Sequence, residues 1–366
     1  MNSNKLLLIT SEFPPQPGGI GNHALNLADS LQKEGMNITV LTNLRSENGV
    51  PEAKFDGDLK FEVKRVKRRK VIWISYFTRF IKAMQLIRNA DTVLASGKFS
   101  LWLVFFLKLF YKKKYVAIIH GSELMLSNTF LKKFTNKCLT KFESIVAVSN
   151  YTKSLISDLN LENIKVIPNG FSILKRDARD EIHQKPEQLN LITVGNVTQR
   201  KGQHNVINAI PELLKSYPNL KYNIVGIPTE KDKIKILVND LGVEKNVEFY
   251  GKVSEEKKCD LLANSSIFFM LSEQTTNGDI EGFGIAILEA NAFGVPAIGS
   301  KDCGIEDAID HQETGCLVHP TDIASIVKAV NVINESYSDY SRKANLWSKD
   351  FSWDKIVLKY LEIIKK

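Results

Sequence analysis

Two glutamates eight residues apart, Glu281 and Glu289, bracket a glycine-rich turn in the stretch NGDIEGFGIAILEANAFG, residues 277–294. Gly282 and Gly284 let the backbone come close to a ligand. The N–H groups of Phe283, Gly284 and Ile285 then stand at the start of a helix, where phosphate oxygens are well received. Glu289, about one turn into that helix, has the reach for a ribose diol. The helix dipole alone favours an acid in a first turn, which accounts for a glutamate but not for the glycine pair beside it. A second stretch, GNVTQRKG at 195–202, places Arg200 and Lys201 between a strand end and a glycine that opens a helix. Arginine supplies a bidentate fork and lysine a point charge, the groups needed to hold a diphosphate as it leaves. A third, Gly19-Ile20-Gly21-Asn22-His23-Ala24, formally matches the GxGxxA dinucleotide fingerprint. Eight residues with three prolines separate it from Thr10, however, and the second strand ends in Leu41-Thr42-Asn43 with no acid for a ribose hydroxyl, so a dehydrogenase is disfavoured. What survives at Gly19 is bare backbone at a helix start, facing an anion.

These loops need strands to carry them. LLLIT (6–10), an apolar helical stripe over 22–33 and NITVLT (37–42) make a βαβ unit. Further strands fit at 92–95, 115–120, 144–149 and 164–168. The pattern collapses in KRDARDEIHQKPEQ and restarts near residue 188, with later strands at 247–250, 267–271, 296–299 and 315–318. The expected fold class is therefore α/β, with two doubly wound parallel sheets in tandem whose ligand sites lie at the carboxyl ends of the strands. A length of 366 residues suits two domains, expected at 1–185 together with a terminal helix at about 351–366, and at 186–350. The cleft between such domains is the expected site.

With those stretches in hand, the chain resembles the retaining GT-B glycosyltransferases of the group 1 type, which use nucleotide sugars and carry an E-x7-E motif. Glu281 and Glu289 stand at that spacing in EGFGIAILEA, and PGGIG, HGSE, VSN, IPNG, GNVTQRKG and FSWDKI follow in the family's order over nearly the whole chain. The resemblance implies that Glu281 lies beside the donor sugar, that Glu289 binds the ribose and that Lys201, with Arg200, holds the diphosphate. Gly19 resembles the N-domain phosphate contact, His120 the residue that touches the transferred sugar, and the turn at Lys252 and Val253 the base-binding turn. The family often has an arginine where Asn196 stands, so here the diphosphate charge falls to Lys201, Arg200 and backbone. The motif NG-apolar-Asp reads Asn169-Gly170-Phe171-Ser172, and a usual glutamate is Asp307. The implied reaction is front-face displacement with retention, with no metal and no cofactor beyond the nucleoside-diphosphate sugar.

Composition narrows the partners. Residues 1–185 hold 29 Lys and Arg against 16 Asp and Glu, and residues 186–366 hold 20 against 25. Such a one-sided basic half suits an anionic partner. The segments VKRVKRRK (63–70), YKKKY (111–115) and LKKFTNK (131–137) point to an anionic membrane surface and a glycan or lipid-linked acceptor, with FSLWLVFFLKLF (99–110) read either as a buried helix or as an interfacial one. No motif supports nucleic acid. Asp56-Gly57-Asp58 mimics a metal-binding DxD but reads as a turn in a polar loop. Cys138, Cys259, Cys303 and Cys316 form no CxxC, which fits a reducing cytoplasm. The opening apolar run is too short for a signal peptide, and no segment reaches the roughly 20 residues of a membrane span. A cytoplasmic enzyme, peripheral at the inner membrane face and making surface polysaccharide or glycolipid, is expected. A nucleotide-sugar epimerase and a catalytically weak binding protein of the same fold are the alternatives.

Overall fold

The computed structural model describes residues 5–16, 18–172, 187–275 and 278–365. The chain forms two compact units, Met1–Gly170 with Trp353–Lys366, and Phe171–Ser352. The boundary expected at 185/186 falls outside the described residues.

The first unit is built on a seven-stranded sheet of β1 (Lys5–Thr10), β2 (Asn37–Leu44), β3 (Glu62–Lys67), β4 (Thr92–Ser96), β5 (Lys114–Ile119), β6 (Ser144–Ala147) and β7 (Ile164–Val166), in the order β3-β2-β1-β4-β5-β6-β7. Every pairing is parallel. Parallel sheets are covered on both faces and so favour unbroken apolar runs. Accordingly, Leu6 to Ile9, Val93 to Ala95 and Tyr115 to Ile119 are buried without alternation. The terminal helix Trp353–Lys365 packs within this unit. Its Tyr360 hydroxyl lies 3.1 Å from His23 Nε2 on helix Gly19–Lys33, and Trp353 sits so tightly on Gly170 that a Cβ there would come within 2.7 Å of the indole.

The second unit repeats the plan with six strands, β8 (Asn190–Val194), β9 (Lys221–Val225), β10 (Val247–Gly251), β11 (Ile267–Met270), β12 (Ala297–Ser300) and β13 (Gly315–Val318), in the order β10-β9-β8-β11-β12-β13. In each sheet the strand order reverses beside the first strand of the unit, so the crevices open at the carboxyl ends of β1 and β4 and of β8 and β11.

Three local readings change. Asp56 and Gly57 end a helix, Val50–Gly57, rather than lying in a loop, and Asp56 receives Arg65 Nε and Nη2 at 2.8 and 2.7 Å. The basic run at 63–70 contains edge strand β3. Residues 99–110 include helix Lys98–Leu107, which is two-faced: Leu101, Val104 and Leu107 are buried, while Phe106 and the following Leu109 and Phe110 are exposed. Among the described residues no helix is long and apolar enough to cross a membrane, and no disulfide joins the four cysteines, all of them buried.

Candidate active site

In the second unit the site grows from the end of β8. The chain leaves β8 through Gly195 and makes a 3-10 turn, Gln199–Lys201, closed by Gly202. Gly202 has φ +70°, and a Cβ there would lie 1.7 Å from the Leu271 carbonyl oxygen. Only glycine lets this turn sit against the end of β11. The backbone is pinned again where Glu273 N–H donates to the Arg200 carbonyl at 3.1 Å. The two cations thus point from the switch point, and both meet one carboxylate oxygen: Arg200 Nη1 and Lys201 Nζ each stand 2.6 Å from Glu281 Oε2. Arg200 Nε also pairs with Asp279 at 3.2 Å. Burial pushes the Glu281 carboxyl up, but Lys201 and Arg200 outweigh it and hold the group down at about 2. Glu281 is therefore an ionised carboxylate at any physiological pH, an electrostatic partner and not a proton donor.

After Glu281 the chain turns through buried Phe283 and Gly284, whose φ is +89°, into helix Ile285–Asn291. Phe283 packs its ring on Phe351 at 6.0 Å, so its side chain is committed to the core. Glu289 on this helix forms a separate pair with Lys258 Nζ at 3.1 Å, and Lys258 also holds Glu255 at 2.8 Å. Sequence reasoning missed Lys258 and Asp279. Lys258 lies on helix Glu255–Ala263, which starts directly after the turn holding half-buried Val253, so its helical position was the available signal. The Asn196 side chain is exposed at the end of β8, while its carbonyl accepts Gln203 Nε2 at 3.1 Å.

The first unit offers its own groups at the ends of β1, β4 and β5. Gly19 begins helix Gly19–Lys33 and is exposed, with no atom within 4 Å of the position a Cβ would take. Two residues on, Gly21 is packed on the backbone of Glu12 and Phe13, so the pair divides into one glycine that positions the loop and one that leaves space above it. His120, just past β5, is half-buried. Its Nε2 lies 2.9 Å from Ser96 Oγ at the end of β4, and its backbone N–H donates to Glu123 Oε1 at 2.7 Å. Burial pushes His120 down to about 4, so the ring is neutral at pH 7 and serves as a hydrogen-bonding group rather than a charge. Burial also raises the Glu123 carboxyl, to about 7, against the backbone N–H donors that favour its ionised form. His23 stacks edge-on against His120 at 5.0 Å. Ser96, Glu123 and His23 were not singled out in the sequence; parallel pairing brings Ser96 beside β5, which no local spacing reveals.

Comparison with known proteins agrees with this geometry. Residues 175–346 match the model of glycosyl transferases group 1, and residues 17–173 that of glycosyltransferase family 4. An uncharacterized glycosyltransferase of Methanocaldococcus jannaschii is 25% identical over 99% of this chain and 98% of its own. A GDP-mannose-dependent monoacylated alpha-(1-6)-phosphatidylinositol monomannoside mannosyltransferase of Corynebacterium glutamicum is 25% identical over 88% of this chain and 86% of its own. Among solved structures, Anabaena HepE in complex with UDP and glucose superposes with a TM-score of 0.78 at 18% identity, covering 99% of each chain. With two Rossmann-like parallel sheets and both family models matched in succession, the chain belongs to the group 1 glycosyltransferases and has the GT-B fold.

Proposed function

We propose that this enzyme transfers a sugar, with retention of anomeric configuration, from a UDP- or GDP-linked donor to a glycan or lipid-linked acceptor of a surface polysaccharide or glycolipid. The observation that carries the reading is the contact of Arg200 and Lys201 with one oxygen of Glu281. That cluster supports the reading, because it holds two cations suited to a leaving diphosphate beside an ionised carboxylate suited to the donor sugar. Glu289, the backbone of Phe283, Gly284 and Ile285, and the turn at Val253 serve the ribose, phosphates and base. Asn196 borders the same strand end. In the first unit, the Gly19 backbone and neutral His120 are groups suited to a phosphate and to a sugar hydroxyl.

In the step itself, the bond from the anomeric carbon to the diphosphate oxygen breaks and the acceptor oxygen bonds to the same face. The acceptor's proton passes to the departing phosphate oxygen, because Glu281 is already engaged by two cations. The reading needs neither metal nor further cofactor, since Arg200 and Lys201 meet the phosphate charge. A relative named GDP-mannose-dependent and a structural neighbour holding UDP support the two bases under consideration.

The acceptor side fits the cytoplasmic face of an anionic membrane. Trp73 (77% exposed), Phe77 and Ile81 line one face of helix Ile72–Ile87, and Phe110 and Phe130 are also exposed. The cationic segments at 67–70, 112–114 and 131–137 belong to the same unit.

Thermal unfolding with UDP, GDP, ADP and NAD in turn tests the donor. A ligand at about 100 times its Kd adds roughly 2.7 kcal/mol, so UDP or GDP alone should raise the Tm. A rise with NAD only, or with none, would sink the reading. Product analysis then separates the classes: a glycosylated acceptor marks the transferase, and a converted sugar nucleotide the epimerase.

A further inference from the structure

The first unit holds a cavity of about 340 Å³ at the carboxyl ends of β1, β2 and β4, and its charge is not balanced. Four cations line it: Arg45, Arg68, Arg79 and Lys98. Two carboxylates face them, Glu12 and Glu123. Glu12 makes only a long contact of 3.9 Å with Arg45. Glu123 turns one oxygen to the backbone of His120. Among the described residues Arg68, Arg79 and Lys98 have no carboxylate within 4.0 Å.

Arg79 is the unusual member. It is 4% exposed, its Nη2 donates to the Thr10 carbonyl at 2.5 Å and reaches Ser100 Oγ at 3.4 Å, and its buried Nε has no hydrogen-bond partner. A guanidinium taken out of water without an anion carries a desolvation cost that an anion would offset. Burial lowers Arg79 only to about 10, so it remains charged at pH 7. The wall beside it is firmly built. Buried Glu52 ties the neighbouring loops by accepting from Gln16 Nε2 at 2.7 Å, from the backbone N–H groups of Arg45 and Ser46 at 3.1 and 2.8 Å, and from the Ser46 hydroxyl. A second feature shows what could accompany an anion there: Tyr76 and Phe99 line the cavity with ring centroids 5.2 Å apart, and the aromatic contacts continue from Phe99 to Trp102 and Phe134.

We propose that this cavity binds a phosphate or diphosphate group of the acceptor, with Arg79 as its buried floor, Arg45, Arg68 and Lys98 closing on the anion, and the aromatic row beside it receiving an attached chain. The proposal rests on the acceptor-side reading above and adds the acceptor's chemical class. Guanidinium forks match phosphate oxygens bidentately, and an anion there would supply the partner that the buried Arg79 lacks.

The test uses the full chain in the presence of excess UDP or GDP, so that phosphate sites for the donor are filled, and titrates farnesyl phosphate, inorganic pyrophosphate and farnesol by calorimetry. Farnesyl phosphate, pyrophosphate or both should bind, and farnesol should not match them. Arg79→Met should weaken binding at least roughly tenfold, as expected for loss of a charge-assisted hydrogen bond, and Arg68→Ala with Lys98→Ala should weaken it in a protein whose fold is undisturbed. Much tighter binding of farnesyl phosphate identifies a lipid-linked acceptor, and equal binding a free phosphate ester. Absence of anion binding, equal affinity for farnesol, or affinity unchanged in the surface double variant overturns the proposal. Anion binding that depends on these cations in a chain that binds no nucleotide would uphold this site while removing the donor reading.

Discussion

Glu281 meets two cations with a single carboxylate oxygen. Replacing it with glutamine keeps its shape while leaving Arg200 and Lys201 without their shared anion. Loss of one preorganised electrostatic group costs on the order of 10²–10³ in kcat, so Glu281→Gln should lower turnover by about that factor, measured as nucleoside diphosphate released with donor saturating. An unchanged kcat would remove Glu281 from the reaction. The same pairing predicts a pH signature. Burial opposes ionisation, but Lys201 and Arg200 bring the folded-state value to about 2, below the usual 4.5. A depressed carboxyl contributes stability that is whole above the unfolded value and fades as pH falls toward the folded one. In urea unfolding, the gap between wild type and Glu281→Gln should therefore be largest near pH 7 and shrink between about 4.5 and 2. A gap constant over that range would mean that the ion cluster does not form in solution.

At the scale of elements, the two glycine loops make opposite predictions. Gly202→Ala puts a Cβ 1.7 Å from a backbone oxygen at φ +70°, so the turn that aims Arg200 and Lys201 must move. A loss of more than about 2 kcal/mol is expected from strain and overpacking, together with lost nucleotide binding. Gly19→Ala meets open space at a helix start and should hold or raise the Tm, since alanine narrows the unfolded ensemble by about 0.4–1 kcal/mol. If Gly19 backbone approaches a donor phosphate, the same change lowers kcat/KM in a protein that is no less stable; full activity would remove that contact. The local pattern made these loops legible, because glycine, arginine and glutamate types at fixed spacing need no tertiary knowledge. It also marked the central strands, whose buried runs such as Val93 to Ala95 are continuous. It failed at β3, an edge strand whose EVKRVK mixes cations with two valines, and at Arg79, Glu52 and Lys258. Burial of a charged side chain depends on which distant segment covers it, and adjacent residues carry no trace of that.

For the whole molecule, the uneven charge and the exposed aromatics lie in the same unit, and together they predict salt-sensitive attachment to lipid. Electrostatic attraction contributes about 1 kcal/mol for each Lys or Arg held near an anionic surface, while Trp73, Phe77, Phe110 and Phe130, each more than 60% exposed, would bury apolar area on contact. The two terms respond to different changes. At about 1 M salt the Debye length falls to about 3 Å, so vesicles rich in phosphatidylglycerol should float the protein at low salt and release most of it at high salt. Phosphatidylcholine vesicles should hold little. Trp73→Ser with Phe77→Ser leaves the cations in place and should weaken attachment at low salt by roughly tenfold or more, because burying one large apolar side chain is worth about 1.5–3 kcal/mol. If the double variant floats as well as wild type while salt still releases it, the surface is a cationic adhesion face and the aromatics do not enter the bilayer. If wild type fails to float at low salt, the basic half serves the acceptor's own charge, and the cations around Arg79 become its main use.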